Sequence, residues 1–154
     1  MKKLKILLFI LLALPSSVLA QGWPIDYGGV MLQGFYWDSF TLSQWTKLEN
    51  RTNDLKGYFD LVWVPQSGRC LNSMSMGYDP YYFFDQTSSF GSATELKSMI
   101  STFKSNGILT IADVVINHHN NDNTGWWGFP SEQYNGITYQ LLPSDIVRND
   151  DGGA

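Results

Sequence analysis

The sequence predicts an α/β fold built on a parallel sheet, and three observations lead there. Short apolar runs begin near Gly29, Leu61 and Ile108, each the length of a strand. Two stretches with helix-start chemistry and helical spacing lie between them. The third run, Ile108 to Ile116, is apolar at seven of nine positions, the pattern of a strand buried on both faces. Strands and helices alternating in this order imply parallel pairing through right-handed crossovers. No Gly-x-Gly-x-x-Gly follows the first run, which argues against a dinucleotide-binding fold.

The chain has 154 residues, 44% hydrophobic and 16% charged, enough for one core. Its first twenty residues read as a secretory signal. Lys2, Lys3 and Lys5 form a basic head, Leu4 to Leu14 an apolar run, Pro15-Ser16-Ser17 a break, and Ala20 the small residue before cleavage. The expected product begins at Gln21, is secreted or periplasmic, and has no membrane segment. The formal charge of −4 becomes −7 when those three lysines leave with the signal. Such an acidic surface argues against nucleic acid as a partner. Cys70 is the one cysteine, so no internal disulfide forms; its place after the second run suggests a loop, and a buried inert thiol is the plainer reading. The aromatic share of 15% is high, and fits either a ring-rich core or a surface that stacks flat ligands.

Gly29 to Trp37 reads as the first strand. Thr41-Leu42-Ser43-Gln44 fits a capping box with Thr41 as N-cap, followed by a helix with Trp45, Leu48, Leu55 and Tyr58 at roughly helical spacing and Gly57 at its end. Leu61 to Pro65 is the second strand, closed by a residue with no amide to donate. A long polar loop from Gln66 to Gly91 holds the turn-rich aromatic knot Gly77-Tyr78-Asp79-Pro80-Tyr81-Tyr82. Ser92-Ala93-Thr94-Glu95 is a second capping box, Leu96, Met99, Ile100 and Phe103 follow helical spacing, and Asn106-Gly107 closes the helix. Ile108 to Asn117 is the third strand. His119 to Ala154 reads as an irregular or β-like excursion.

Chemistry in parallel α/β folds gathers at the carboxyl ends of strands, which is where Asn117 and His118 stand. Asp113, inside the third strand, needs a partner if its carboxylate is to stay ionised. His118 and His119 are the only histidines, and neighbours on an extended chain point opposite ways, so a shared metal is disfavoured. His118 then reads as a hydrogen-bond donor to ligand or as a structural histidine. Asn117 offers a neutral oxygen of the kind calcium accepts, and Asp122, Asp145, Asp150 and Asp151 follow it. Asp150-Asp151-Gly152-Gly153 is the densest cluster, although most of these carboxylates fit solvated turns equally well. Tyr78 can stack on a sugar face or pack its own loop, and Trp126-Trp127 have the same two readings with packing favoured.

Asp113-Val114-Val115-Ile116-Asn117-His118 resembles the first signature motif of the α-amylase family, glycoside hydrolase family 13. Leu32-Gln33-Gly34-Phe35-Tyr36-Trp37 resembles that family's first strand and Val62-Trp63-Val64-Pro65 its second. Gly77-Tyr78-Asp79-Pro80 resembles the loop before its second helix, and Glu95 to Ile100 that helix. The resemblance runs in order from Gly29 to His118. It implies a (β/α)8 TIM barrel of which the first three strands are present: 21–118 the N-terminal part of the barrel, and 119–154 the start of an inserted domain B. It implies that His118 and Tyr78 hold the sugar at the cleavage point, one by hydrogen bond and one by stacking. Trp37 and Gln33 line the cleft, Asp113 supports it through an arginine of the next strand, and Asn117 ligates calcium, with Asp150 and Asp151 as weaker candidates.

The activity so implied is cleavage of internal α-1,4-glucosidic bonds of starch, glycogen or maltooligosaccharides with retention, by a secreted monomer. The carboxylates of that reaction lie on later strands, and a barrel of this kind needs roughly 250 residues. The chain is therefore expected to be a fragment without catalytic residues, inactive alone. Two alternatives share the resemblance: a cyclomaltodextrinase or glucan transferase, and a non-catalytic α-glucan-binding protein on the same scaffold.

Overall fold

The structure is a computed structural model that describes residues 27–121 and 128–145. The signal segment, Asp122, Trp126, Trp127, Asp150 and Asp151 lie outside the described residues. Strands β1 (Met31–Gln33), β2 (Leu61–Val64) and β3 (Leu109–Ala112) form one parallel sheet in the order β1-β2-β3. Leu61 is in register with both Met31 and Leu109, and Trp63 with both Gln33 and Ile111. Helices α1 (Trp45–Asn50) and α2 (Thr52–Leu55) join β1 to β2, and α3 (Ala93–Ser105) joins the long loop to β3. The predicted alternation and the parallel pairing are both present. Among the described residues no helix is long and apolar enough to cross a membrane.

The core lies between the sheet and the helices. Phe35, Trp45, Val62, Val64, Met76, Phe90, Met99, Phe103 and Ile108 are buried together. Burying an apolar side chain of this size contributes about 1.5–3 kcal/mol, so this cluster dominates the stability of the sheet side. Ser92 caps α3 as its sequence predicts: its hydroxyl accepts the Glu95 amide, and the Glu95 carboxylate accepts the Ser92 amide. Gly107, at φ 79°, takes the left-handed turn that ends the helix. Glu49 of α1 accepts the hydroxyls of Ser98 and Thr102 at 2.8 and 2.7 Å, which ties α1 to α3.

The structure corrects four expectations. Thr41 does not cap the first helix: it ends a 3-10 turn (Ser39–Thr41), and the cap residue is Gln44, whose side chain makes no capping bond. The leading amide of α1, on Trp45, is instead taken by the Phe90 carbonyl at 2.8 Å, so a distant acceptor replaces the local one. The helix then breaks at Arg51 into two short pieces, and Tyr58 is exposed rather than part of an apolar stripe. β1 is shorter than Gly29 to Trp37, because the chain turns away after Gly34 and takes a left-handed residue at Asp38 (φ 64°). β3 also ends early, at Ala112 rather than Asn117, and is not buried on both faces. It pairs only with β2 among the described strands, and Leu109, Val114 and Ile116 are exposed.

Beyond β3 lies a small antiparallel hairpin, β4 (Glu132–Tyr134) and β5 (Ile137–Tyr139). Asn135 and Gly136 both have positive φ, the pair that a two-residue hairpin turn requires.

Candidate functional site

The site stands just past the carboxyl ends of the three parallel strands. Gln33 is the last residue of β1 and is exposed. Trp37 follows it by four residues with 71% of its surface exposed. Asp113 comes directly after β3, where its amide extends the ladder by one bond to the Val64 carbonyl (3.1 Å).

Tyr78 is brought to these residues by the loop after β2, and the loop's backbone explains how. Gly77 has φ 99°, and a Cβ there would sit 2.8 Å from both the carbonyl oxygen and the Cβ of Gln66. Only glycine fits that left-handed, crowded position. The Gln66 side chain then donates to the Gly77 carbonyl (3.1 Å), and the Gly77 amide donates to Ser75 Oγ (3.0 Å). Cys70 is buried in the same loop, and burial pushes its thiol pKa up, as expected of an inert cysteine.

Four of the residues singled out in the sequence meet here. The Tyr78 hydroxyl donates to Asp113 Oδ2 at 2.9 Å. The Trp37 and Tyr78 rings lie nearly parallel, 11° apart in plane with centroids at 6.3 Å. His118 Nε2 lies 2.8 Å from the Tyr78 carbonyl; a carbonyl only accepts, so Nε2 donates and Nδ1 is left for another partner. Partial burial, with the bond to and charge of Asp113 behind it, pushes the Tyr78 pKa up to about 12. The phenol is therefore neutral at all ordinary pH and acts as donor, while Asp113 acts as acceptor. Asp113 thus has a tyrosine partner, a bond that links the loop to the end of β3.

A cleft of about 340 Å³ opens beside the two rings, lined by Trp37, Asp38, Asn72, Met74, Tyr78 and Asp79. Flat apolar faces next to carboxylate and amide oxygens suit a ligand that is apolar on its faces and hydroxylated at its edge. Gln33 is aligned with this end of the sheet but makes no described bond to the other site residues.

His119 turns away from His118, packing its ring against Phe83 (centroids 4.4 Å) and Phe129 (5.4 Å), with Nδ1 at 2.6 Å from the Asn120 carbonyl. Burial lowers its pKa. Asp145 accepts the Leu142 amide at 2.8 Å, a turn role. Asn117 is exposed at a bend and offers one side-chain oxygen. Calcium takes about six to eight oxygens, and no group of three or more His, Cys, Asp or Glu comes together among the described residues. The described residues alone do not compose a calcium site.

No family model matches the chain. It is 32% identical over 117 residues to probable alpha-amylase 2 of Arabidopsis thaliana, covering 75% of this chain and 27% of that protein. It is 28% identical over 126 residues to an alpha-amylase of Bacillus licheniformis, covering 75% of this chain and 24% of the relative. A glucan 1,4-alpha-maltohexaosidase of Bacillus sp. (strain 707) is 27% identical over 104 residues, which are 58% of this chain and 20% of that enzyme. The chain thus spans about a quarter of the length of the curated relatives it matches. Among solved structures, a MutB variant in complex with its substrate sucrose superposes with a TM-score of 0.55 at 25% identity, covering 66% of this chain and 19% of MutB. Parallel sheet, motif order and relatives agree: over the length they share, this chain is similar to members of the α-amylase family, glycoside hydrolase family 13.

Proposed function

We propose that the chain contributes the substrate-holding side of a secreted glycosidase that cleaves internal α-1,4-glucosidic bonds of starch, glycogen or maltooligosaccharides with retention. In this reading residues 21–118 are the first three strands of a (β/α)8 barrel and 119–154 the start of domain B, after a signal at 1–20. The observation that supports it best is the junction of Trp37, Tyr78, Asp113 and His118 at the carboxyl ends of the parallel strands.

Each residue has a role its geometry allows. Tyr78 presents a neutral ring whose plane is set by the Asp113 bond, and a pyranose stacks its axial C–H face on such a ring. Trp37 extends the platform to a neighbouring sugar. His118 braces the backbone of Tyr78 through Nε2 and keeps Nδ1 for a sugar hydroxyl. Gln33 lines the floor beyond β1. Asn117 is one calcium ligand, and no step above depends on the ion.

Retaining cleavage needs two carboxyl groups about 5–5.5 Å apart, one nucleophile and one acid. Asp113 is engaged as acceptor for Tyr78, so it orients the ring rather than attacks the sugar. The 154-residue chain is therefore expected to bind maltoheptaose and release no reducing sugar from it. Calorimetric titration of the purified chain, alone and as Tyr78→Ala, alongside a reducing-end assay, tests this. Saturable binding that Tyr78→Ala weakens roughly tenfold or more, as loss of a stacking ring does, supports the reading. Absence of binding, or turnover by the chain alone, contradicts it.

A further inference from the structure

Three consecutive amides, those of Phe83, Phe84 and Asp85, converge on one carboxylate. The Phe83 amide lies 2.7 Å from Glu132 Oε2, and those of Phe84 and Asp85 lie 3.0 and 3.2 Å from Oε1. Successive N–H groups pointing into one concavity form an anion site made of backbone alone. The carboxylate that fills it comes from the far side of a long excursion, on the first residue of β4.

The hairpin has little else of that directional kind. β5 is exposed at all three positions, and the described contacts that seat the hairpin are the rings of Tyr134 and Tyr139 on Phe84, with centroids at 4.6 and 4.8 Å. Beside them lies a cavity of about 210 Å³ walled by Phe83, Phe84, His119, Phe129 and Tyr139. Apolar contacts hold a hairpin near a surface but do not fix its register. Three charge-assisted bonds do.

We propose that the Phe83–Asp85 amides form a carboxylate-binding site that Glu132 fills from within, and that Glu132 is thereby a positioning residue for the loop that carries Tyr78. The mechanical path is continuous. Asp85 receives the Arg69 amide on its carbonyl (2.8 Å) and pairs with the Arg69 guanidinium (3.2 Å). The Arg69 carbonyl receives the amides of Tyr81 and Tyr82 at 3.0 and 3.1 Å. The Pro80 carbonyl, two residues from Tyr78, receives the Asn120 amide at 2.7 Å. The anion site itself does not rest on the proposed function; only its consequence for Tyr78 does.

Amide hydrogen exchange on the chain and its Glu132→Ala and Glu132→Gln variants tests the site. Glu132→Ala is expected to quicken exchange at Phe83, Phe84 and Asp85 roughly tenfold or more while β1–β3 keep their protection. Excess formate, a free carboxylate that fits the vacated space, slows those amides again; sodium chloride at equal ionic strength does not. Glu132→Gln, which keeps the shape and removes the charge, quickens the same amides by a smaller factor. Unchanged exchange in Glu132→Ala overturns the proposal, as does failure of formate to restore protection or equal recovery with chloride. Loss of protection throughout β1–β3 in both variants also overturns it, since the contact would then belong to general packing.

A maltoheptaose titration of the same variants reads the consequence for Tyr78: affinity is expected to fall in Glu132→Ala and return with formate. Affinity untouched by the variant overturns the positioning role. A parent chain that binds no glucan at all contradicts the proposed function instead, and the exchange data still decide the anion site.

Discussion

The sheet side and the hairpin side of this molecule are held by different forces. In β2 three of four residues are buried, and the core around them is a mesh of large apolar side chains. In β5 all three residues are exposed, and the hairpin is seated by ring contacts and one carboxylate on three amides. Burial is non-directional and summed over many contacts, so the sheet side should fail as a unit or not at all. Directional bonds are few and each is specific, so the hairpin side can be released by one change of charge. The candidate site lies where the two meet: Asp113 belongs to the sheet, and Tyr78 to the loop that the hairpin docks on.

The largest expected effect breaks the sheet side. Trp45 is fully buried, packs on Phe90 at 5.3 Å, and its indole N–H has no acceptor among the described residues, so packing is what it contributes. Trp45→Ala is expected to cost about 3–5 kcal/mol, with helical and aromatic circular-dichroism signals lost in one transition. Two separate transitions, or a cost below about 1 kcal/mol, would mean that the core does not act as a unit.

The next breaks the junction. Gly77→Ala forces a side chain into a left-handed backbone and against Gln66. The expected cost is about 1–3 kcal/mol, read as a lower urea midpoint, with weaker maltoheptaose binding because Tyr78 is adjacent. A variant with parent-like stability would show that the loop relaxes freely there.

The smallest effect sharpens the comparison at a single bond. Tyr78 is raised to about 12 by burial first and Asp113 second. A raised folded pKa favours the neutral phenol, so this contribution to stability is whole below pH 10 and is lost as pH climbs through about 12. In Asp113→Asn the charge is gone, and phenolate absorbance should titrate Tyr78 closer to its ordinary value but not fully to it, since burial remains. An unchanged titration would show that the bond to Asp113 does not perturb the phenol in solution.

Local chemistry was readable in advance, and long-range partnership was not. The limits of β2 and α3 follow from Pro65, the Ser92-Glu95 box and Asn106-Gly107, all of which act within a few residues. The ends of β1 and β3 do not, because a strand stops where its neighbour's ladder stops, and that neighbour is distant in sequence. Thr41 failed as a cap for the same reason: the acceptor for the Trp45 amide sits on Phe90. In the site, Tyr78, Asp113, His118 and Trp37 could be named from motif resemblance, but their mutual bonds could not. The tyrosine that bonds Asp113 comes from a loop 35 residues earlier, which no local pattern around Asp113 indicates. Glu132 carried no signal, since a lone glutamate in an irregular segment does not announce which amides it will meet.

The bond from the Trp45 amide to the Phe90 carbonyl also orders events in time. A growing chain that has made Trp45 has not yet made the residue that completes the first turn of α1. At a synthesis rate of about 5–20 residues per second, that wait is roughly two to nine seconds. During it the Trp45 indole, fully buried in the folded chain, has no Phe90 to pack on. The first turn of α1 is therefore completed only once Phe90, just ahead of the second capping box, has been made.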